Sequence, residues 1–478
     1  MTDITRRVAL GAAGVGTLAA LTAGFPRLSG LDVPGRHGNA LRIALFGTQQ
    51  QAAQQDALIK AFQAENPDIK VVMIPIQASD WGGFFAKVLT MVAAGTPPDV
   101  VNVATEGAQL FAAKLAEPLD DYIRRPAERA AMQDYFSDVH PSLIESFMYK
   151  GSLYQLPANF NAANIFLSNT ALHKAGYDYP PDDWTKDDFV TMLRAIKKTN
   201  PGAVPFYWAN RMWGGVTPWL YINNTSILRE TKSPAGAAAD WLWNGFYKGV
   251  PAAQGRSGGP LWLEAQATIP SVEETFELLR EMVKDGLSSS PASGGGGALV
   301  PQFASGRVAT TTAGGYWVDG LAQAGVKNDQ YDVQFMPKWK SQSHQFGASG
   351  WSMMRSSSRK EQAWAWLKFI SSRKGMYLSA PKPTTTPCRR SLCAGSVEID
   401  GVTHPFYSAE GPKHWKVFYE TLDRFPGTGP FTAPPSEPAI ELALDKNTIN
   451  AVGGSASQMR SALRSLQGDL TRALETRA

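Results

Sequence analysis

The sequence predicts an α/β protein of more than one domain. Three observations lead there. At 478 residues the chain is too long for one ordinary domain. Residues 41–103 read strand, helix, strand, helix, strand, the order of crossover units in a parallel sheet. A composition of 44% hydrophobic and 18% charged residues is that of a chain able to bury large cores.

Taken in order, Leu41-Arg42-Ile43-Ala44-Leu45-Phe46 is a short β-prone run that breaks at Gly47. Ala57, Leu58, Ala61 and Phe62 share one face of a helix over 51–65, which Asn66-Pro67-Asp68 stops. A strand at 69–76 follows, then a helix over 81–94 closed by Gly95-Thr96-Pro97-Pro98. A third strand at 99–103 ends in a polar loop, Thr105-Glu106-Gly107. Strand-like pieces flank Leu156-Pro157, and amphipathic helices are expected at 188–198 and 272–286. Residues 201–262 are rich in Trp and Gly, with a loop over 255–259, and 288–297 is a low-complexity Ser/Gly surface loop. Strands at 308–312 and 331–336, a helix at 360–371, and one or two helices over 439–476 complete the chain, with no internal repeat.

The first 30 residues predict the compartment. Arg6-Arg7 precedes an apolar run rich in Gly and Ala with small residues near Ala23 and Gly24, which describes a twin-arginine export signal at 1–30 rather than a membrane span. No Cys follows it for lipid attachment. The expected location is therefore periplasmic or extracellular. Net charge is +4, of which the signal supplies two charges, and the remaining Lys and Arg are dispersed, so no nucleic-acid surface is expected. Cys388 and Cys393 leave two readings open, a local disulfide and a pair of free thiols, with the disulfide favoured in an oxidising compartment. Zinc would need two further ligands, and the closest His is His404. Metalloprotease, phosphate-loop and nucleophile-elbow motifs are missing from the sequence, and no cofactor is called for.

Five segments in order carry a resemblance. They are Ala64-Glu65-Asn66-Pro67-Asp68 within 58–69, Ala94-Gly95-Thr96-Pro97-Pro98-Asp99 within 91–100, Tyr149-Lys150-Gly151-Ser152-Leu153-Tyr154 leading into Leu156-Pro157, Phe303-Ala304-Ser305-Gly306-Arg307-Val308, and Trp364-Ala365-Trp366-Leu367-Lys368-Phe369. Over 41–478 the chain resembles the extracellular solute-binding proteins of ABC importers, in the branch of maltose- and glycerol-phosphate-binding proteins. It departs at Leu167-Ser168-Asn169, where that family often has a Tyr-Asn pair. The resemblance implies a two-lobed periplasmic-binding-protein fold, each lobe a central sheet flanked by helices, joined by crossing hinge strands near 156–164, 308–316 and 346–353. The lobes would comprise 40–157 plus 309–345, and 158–308 plus 346–478. It implies a monomeric, non-enzymatic chain that hands a sugar, oligosaccharide or polyol to the permease subunits of an importer.

A sugar offers hydroxyls around a ring edge and C–H groups on its faces, so its site wants aromatic plates together with Asp, Glu, Asn, Gln and Arg. Gln49 lies in the loop after the first strand, where Thr48 alternatively caps a helix. The resemblance supplies Trp81 as an aromatic plate, Glu106 as an acceptor from ligand hydroxyls, and Arg389 in a Pro-x-Arg motif able to fork onto an anion or diol. Asn159, Phe160 and Asn161 fall at the first expected crossing, and Gly350 and Trp351 at the third. Trp208 and Trp213 flank Arg211 in a stretch with no clean helix or strand face, and Tyr316 and Trp317 follow a Gly-Gly pair. Fourteen Trp would equally suit a secreted glycoside hydrolase, whose two carboxylates need not be adjacent in sequence.

Overall fold

A computed structural model describes residues 40–290, 292, 299–379, 386–393, 396–399, 401–405 and 411–475. The expected export signal and the glycine run at 294–297 lie outside the described residues. From Leu41 the chain builds a first lobe. Strand β1 (Leu41–Phe46) leads through helix α1 (Asp56–Glu65) to β2 (Val71–Ile76), then through α2 (Trp81–Ala93) to β3 (Val100–Ala104) and α3 (Thr105–Lys114). β1 pairs parallel with both β2 and β3, so Ile43 stands opposite Met73 on one side and Val100 on the other. Short β-prone runs separated by helices permit this arrangement, because parallel neighbours need a long crossover. The apolar face of α1 puts Leu58 and Phe62 in the core, where the Phe62 ring meets Trp366 and Phe369 edge-on at 5.0 and 5.4 Å. The polar loop expected at 105–107 is instead the first turn of α3, which starts directly at the carboxyl end of β3.

β4 (Leu156–Ala162) still belongs to the first sheet, and one residue later the chain enters a second lobe as β5 (Asn164–Ser168). That lobe is a four-stranded sheet in the order β8-β5-β7-β6, with β6 at Val204–Tyr207, β7 at Val308–Ala313 and β8 at Tyr331–Gln334. The chain then returns as β9 (Gln345–Met353), antiparallel between β3 and β4 in the middle of the first sheet, and the short β10 (Thr386–Pro387) extends that sheet beside β4. Helices α4 (Lys186–Thr199) and α5 (Pro270–Lys284) line the second-lobe core; Gly429–Pro430 pairs with the start of β9, after which α6 (Glu437–Gly453) and α7 (Ala456–Glu475) pack on the same lobe.

The crossings differ from those expected at two of three positions. The first lies within 156–164 as expected. The second precedes β9 and the third follows Pro430, rather than falling at 308–316 and 346–353. Residues 309–345 accordingly carry two strands of the second sheet, and 346–353 forms the centre of the first. Strand pairing is the reason: the wholly buried Val308–Ala313 run is covered on both edges by second-lobe strands.

One feature had no counterpart in the sequence expectations. Between the hairpin strands Leu228–Lys232 and Pro260–Ala265, residues 233–259 leave the second lobe and dock into the first. Their helix Gly236–Phe246 places Ala239, Leu242, Trp243 and Phe246 among Met132, Tyr135, Phe136 and Leu143. Gly151 donates to the Gly258 carbonyl at 2.9 Å, and Tyr247 donates to the Val139 carbonyl at 3.0 Å. A Cβ on Gly259 would lie 2.2 Å from the Met148 carbonyl oxygen, so glycine is what permits the close passage of the two chains.

The expected disulfide is not formed: Cys388 and Cys393 are both free and buried. The Cys388 thiol donates to the Pro157 carbonyl at 2.9 Å while Cys393 turns toward the Pro387 carbonyl at 3.6 Å, and burial pushes the Cys388 thiol up to about 12.

The docked segment yields a direct test. Trp243 is 8% exposed and its indole donates to the Ser257 carbonyl at 2.9 Å. Trp243→Ala is expected to cost about 3–5 kcal/mol and lower the thermal midpoint, whereas Leu263→Ser on the exposed hairpin changes stability by less than about 0.5 kcal/mol. Equal midpoints for the two variants would contradict the docking.

Candidate functional site

Where β3 ends, α3 presents its first turn toward the second lobe. The Thr105 hydroxyl accepts from the Ala348 amide at 3.3 Å and donates to the Glu106 carboxylate at 3.3 Å, so β9 positions the acid. Gly107 is required beneath it, because a Cβ there would lie 2.5 Å from the Phe85 ring.

The second lobe answers with the segment after β6. Gly214 adopts φ +67°, and a Cβ on Gly215 would lie 2.5 Å from the Ala209 carbonyl oxygen. This tight turn throws Trp213 out of the lobe and against the crossing strands. A Cβ on Gly347 would fall 2.5 Å from Trp213 Nε1, and one on Gly314 would fall 3.1 Å from its Cη2, so the ring is held between two glycines. The Arg211 guanidinium lies 5.4 Å from the Trp213 ring centroid and donates to the Tyr316 hydroxyl at 3.2 Å. Tyr316 packs on Trp213 with centroids 5.3 Å apart and planes at 61°. Its amide donates to Asn161 Oδ1 at 3.3 Å, which ties the cluster to the end of β4. Aromatic faces, a guanidinium and a carboxamide thus converge from both lobes, the combination a polyhydroxylated ring requires.

α6 closes one side. Glu437, Glu441 and Asp445 recur every fourth residue and share a helix face. Glu441 accepts from the Met212 amide at 3.0 Å, and Asn210 donates to the Asp445 carbonyl at 3.0 Å, which brings this face to the Arg211 turn. Burial raises all four nearby carboxyls. Glu106 is raised by burial against the opposing pull of its hydrogen bonds and Arg211. Glu441 is pushed up to about 7 by burial and then by Asp445, while Asp445 is pushed up to about 6 by burial. Glu437 is raised well above the usual range by burial and then by Glu441, Glu106, Asp80 and Asp445. Asp80, which caps α2 just before Trp81, belongs to the first lobe, so its charge acts on Glu437 from the other lobe.

Of the residues expected from sequence, Glu106, Asn161, Trp213 and Tyr316 come together, and Trp81 stands half-buried at the start of α2 on Phe46 and Phe85. Asn159 shares the β4 face of Asn161 and accepts from the Ser349 hydroxyl at 3.1 Å. Gln49 is exposed on a short helix that Thr48 caps through a reciprocal bond with Gln51. The others are corrections. Phe160 points to the opposite face of β4, into the first-lobe core. Trp208 is 1% exposed among second-lobe apolar side chains, Trp317 packs on Phe166 and Phe303, and Trp351 packs on Trp366. Gly350 serves strand packing, since a Cβ there would lie 2.7 Å from the Leu156 carbonyl oxygen. Arg389 is 1% exposed and bound to Asp134 at 2.7 Å and Asp138 at 3.0 Å, so its charge is already matched inside the first lobe. Arg211 and the three α6 acids were the residues missed as site groups. Their signal is the four-residue acid spacing just after a Pro-rich stretch.

These carboxyls make stability depend on pH in a definable window. A folded-state value raised above the unfolded one means that the native state holds the proton longer, so stability falls as pH rises through it. Buried His140 and His344, lowered to about 4 and about 3, act oppositely, because the unfolded state goes on losing their protons through about 6.5. Both histidines are kept in Glu441→Gln, so the difference in thermal midpoint between wild type and that variant isolates the acid, and it is expected to fall as pH rises from about 5 to about 8. A difference that stays flat or rises over this interval would contradict the buried-acid assignment.

Comparison with known proteins agrees with this architecture. Residues 47–377 match the model of the bacterial extracellular solute-binding protein family. An uncharacterized ABC transporter extracellular-binding protein of Pyrococcus horikoshii is 27% identical over 161 residues, 33% of this chain and 34% of that protein, so the chain spans about a third of the length of this curated relative. Among solved structures, an ABC substrate-binding protein from Listeria monocytogenes in complex with cycloalternan superposes with TM-score 0.70 at 19% identity, covering 92% of this chain and 99% of that one. The sugar-binding protein MalE of Xanthomonas citri gives 0.69 at 17% identity over 91% and 97%. An ABC transporter solute-binding protein of Thermotoga lettingae bound with α-D-tagatose gives 0.68 at 17% over 91% and 100%. At these identities the shared property is the two-lobed fold. Together with the family match, it makes this chain a member of the bacterial extracellular solute-binding protein family.

Proposed function

We propose that this protein is the substrate-binding component of an ABC importer, capturing a sugar or sugar-like solute between its lobes and releasing it unchanged to the permease subunits. The observation that carries this is the Trp213–Tyr316–Arg211 cluster, set against Asn161 and Glu106 where the strands cross between lobes. The structural neighbours support a carbohydrate, since several in complex hold cycloalternan, acarbose, tagatose or maltose. The Arg6-Arg7 pair supports export by the twin-arginine route, to a compartment where such a solute is met. Binding favours closure because only in the closed form do both lobes touch the guest.

Three measurements test this. A thermal-shift screen across sugars and polyols should find a solute that raises the midpoint. Trp213→Ala should weaken that solute at least about tenfold, or ~1.4 kcal/mol. The radius of gyration from small-angle scattering should shrink at saturation. A solute recovered in altered chemical form would point instead to a secreted glycoside hydrolase.

A further inference from the structure

The cleft holds more acidic side chains than a neutral sugar needs. Glu106 of α3 and Glu441 of α6 lie near one guanidinium, that of Arg211, which is engaged with Tyr316 and Trp213, and Glu437 and Asp445 stand one turn either side of Glu441, whose carboxylate accepts from the Met212 amide. Among the described residues none of these four acids forms an ion pair. One of these acids and one further side chain indicate that something is to be held here. Glu437 is 6% exposed, yet its carboxyl has no hydrogen bond among the described residues, and the charges acting on it include Glu106 and Asp80 from the opposite lobe. Gln345, fully buried, accepts from the Gly214 amide at 3.2 Å and leaves Nε2 without an acceptor beside the Trp213 turn. A carboxyl held in such a place without a partner ionises only at a cost, and a cation brought by the guest removes that cost.

We propose that the solute carries a basic nitrogen, as an amino sugar or polyhydroxylated amine, and that Glu437, flanked by Glu441 and Glu106, receives its ammonium while Trp213 and Tyr316 take the ring face. The ammonium brings three donors and no acceptor, which suits a cluster made of acceptors. Gln345 Nε2 serves a hydroxyl on the same guest. This rests on the cleft being the solute site proposed above, and the test separates the two.

Matched pairs that differ by the nitrogen are titrated at pH 7: glucosamine against glucose, the β-1,4 glucosamine disaccharide against cellobiose, and 1-deoxynojirimycin against 1,5-anhydroglucitol. The amine is expected to bind at least about tenfold tighter than its neutral partner in one pair or more. Glu437→Gln should bring that ratio toward one, with Glu441→Gln measured in the same way should the first variant fail to fold. A neutral partner binding as tightly as its amine in every pair that binds, or a ratio unmoved by both variants, overturns the amine and leaves the sugar-binding reading standing. If no member of any pair, and no sugar or polyol of the wider screen, binds, both fall.

Discussion

Three chain crossings are stitched together by backbone hydrogen bonds at His344, Gln345 and Phe346, and the site hangs from that seam. Ala163 donates to the Gln345 carbonyl at 2.8 Å, Gly429 to the His344 carbonyl at 3.0 Å, and Phe431 to the Phe346 carbonyl at 2.8 Å. Each crossing strand thus satisfies its neighbour's backbone in a region that side chains bury. Asn161 lies two residues before the seam in β4 and Gly347 just after it in β9. The contacts that hold Trp213 and Tyr316 are therefore set by the register of these strands. A shift of one residue would turn Asn161 to the face now held by Phe160 and remove the amide partner of Tyr316.

The docked segment 233–259 adds a fourth passage between the lobes, away from the seam. Its helix is held in the first-lobe core, and Glu145 fastens its far end through Arg256 at 2.7 Å and the Ser257 amide at 2.8 Å. The hairpin leading to it is exposed along much of its length: in Leu228–Lys232 only Leu228 is buried. In the proposed closure, rotation between the lobes is absorbed where packing is least, and here that is this hairpin, since interdigitated cores resist shear.

Local order was legible because it follows from short-range chemistry. The end of α1, the extent of α2, the Pro and Gly stops after them, and the three parallel strands all lie within a residue or two of expectation, whereas the helix expected over 51–65 divides into a short helix at Gln49–Ala53 and α1, and Ala57 of its expected face is exposed. Partnership was not. β7 and β9 are both short, wholly buried strands, and only pairing distinguishes a strand of the second sheet from the centre of the first. The tryptophans show the same limit. Trp208, Trp317 and Trp351 stand in surroundings as polar and glycine-rich as those of Trp213, yet the first three fill cores. What sets Trp213 apart is Gly347, distant in sequence, which makes room for its ring. Arg389 looked free because its partners, Asp134 and Asp138, lie some 250 residues away.

The acids of α6 link charge to closure. Glu437, Glu441 and Asp445 repeat at a spacing that ordinarily marks a solvated helix face, yet here Glu437 is buried and the other two are half-buried, and Asp80 and Glu106 of the first lobe raise Glu437 further. Repulsion across the lobes therefore opposes an empty closed state. A guest shifts the balance only by what it gains in the closed form over the open one. If the closed form is ~1% populated without a guest, apparent affinity is weakened ~100-fold relative to the preformed site. The acids that select the guest would then also hold the lobes apart until it arrives, so selectivity and gating would share one set of side chains.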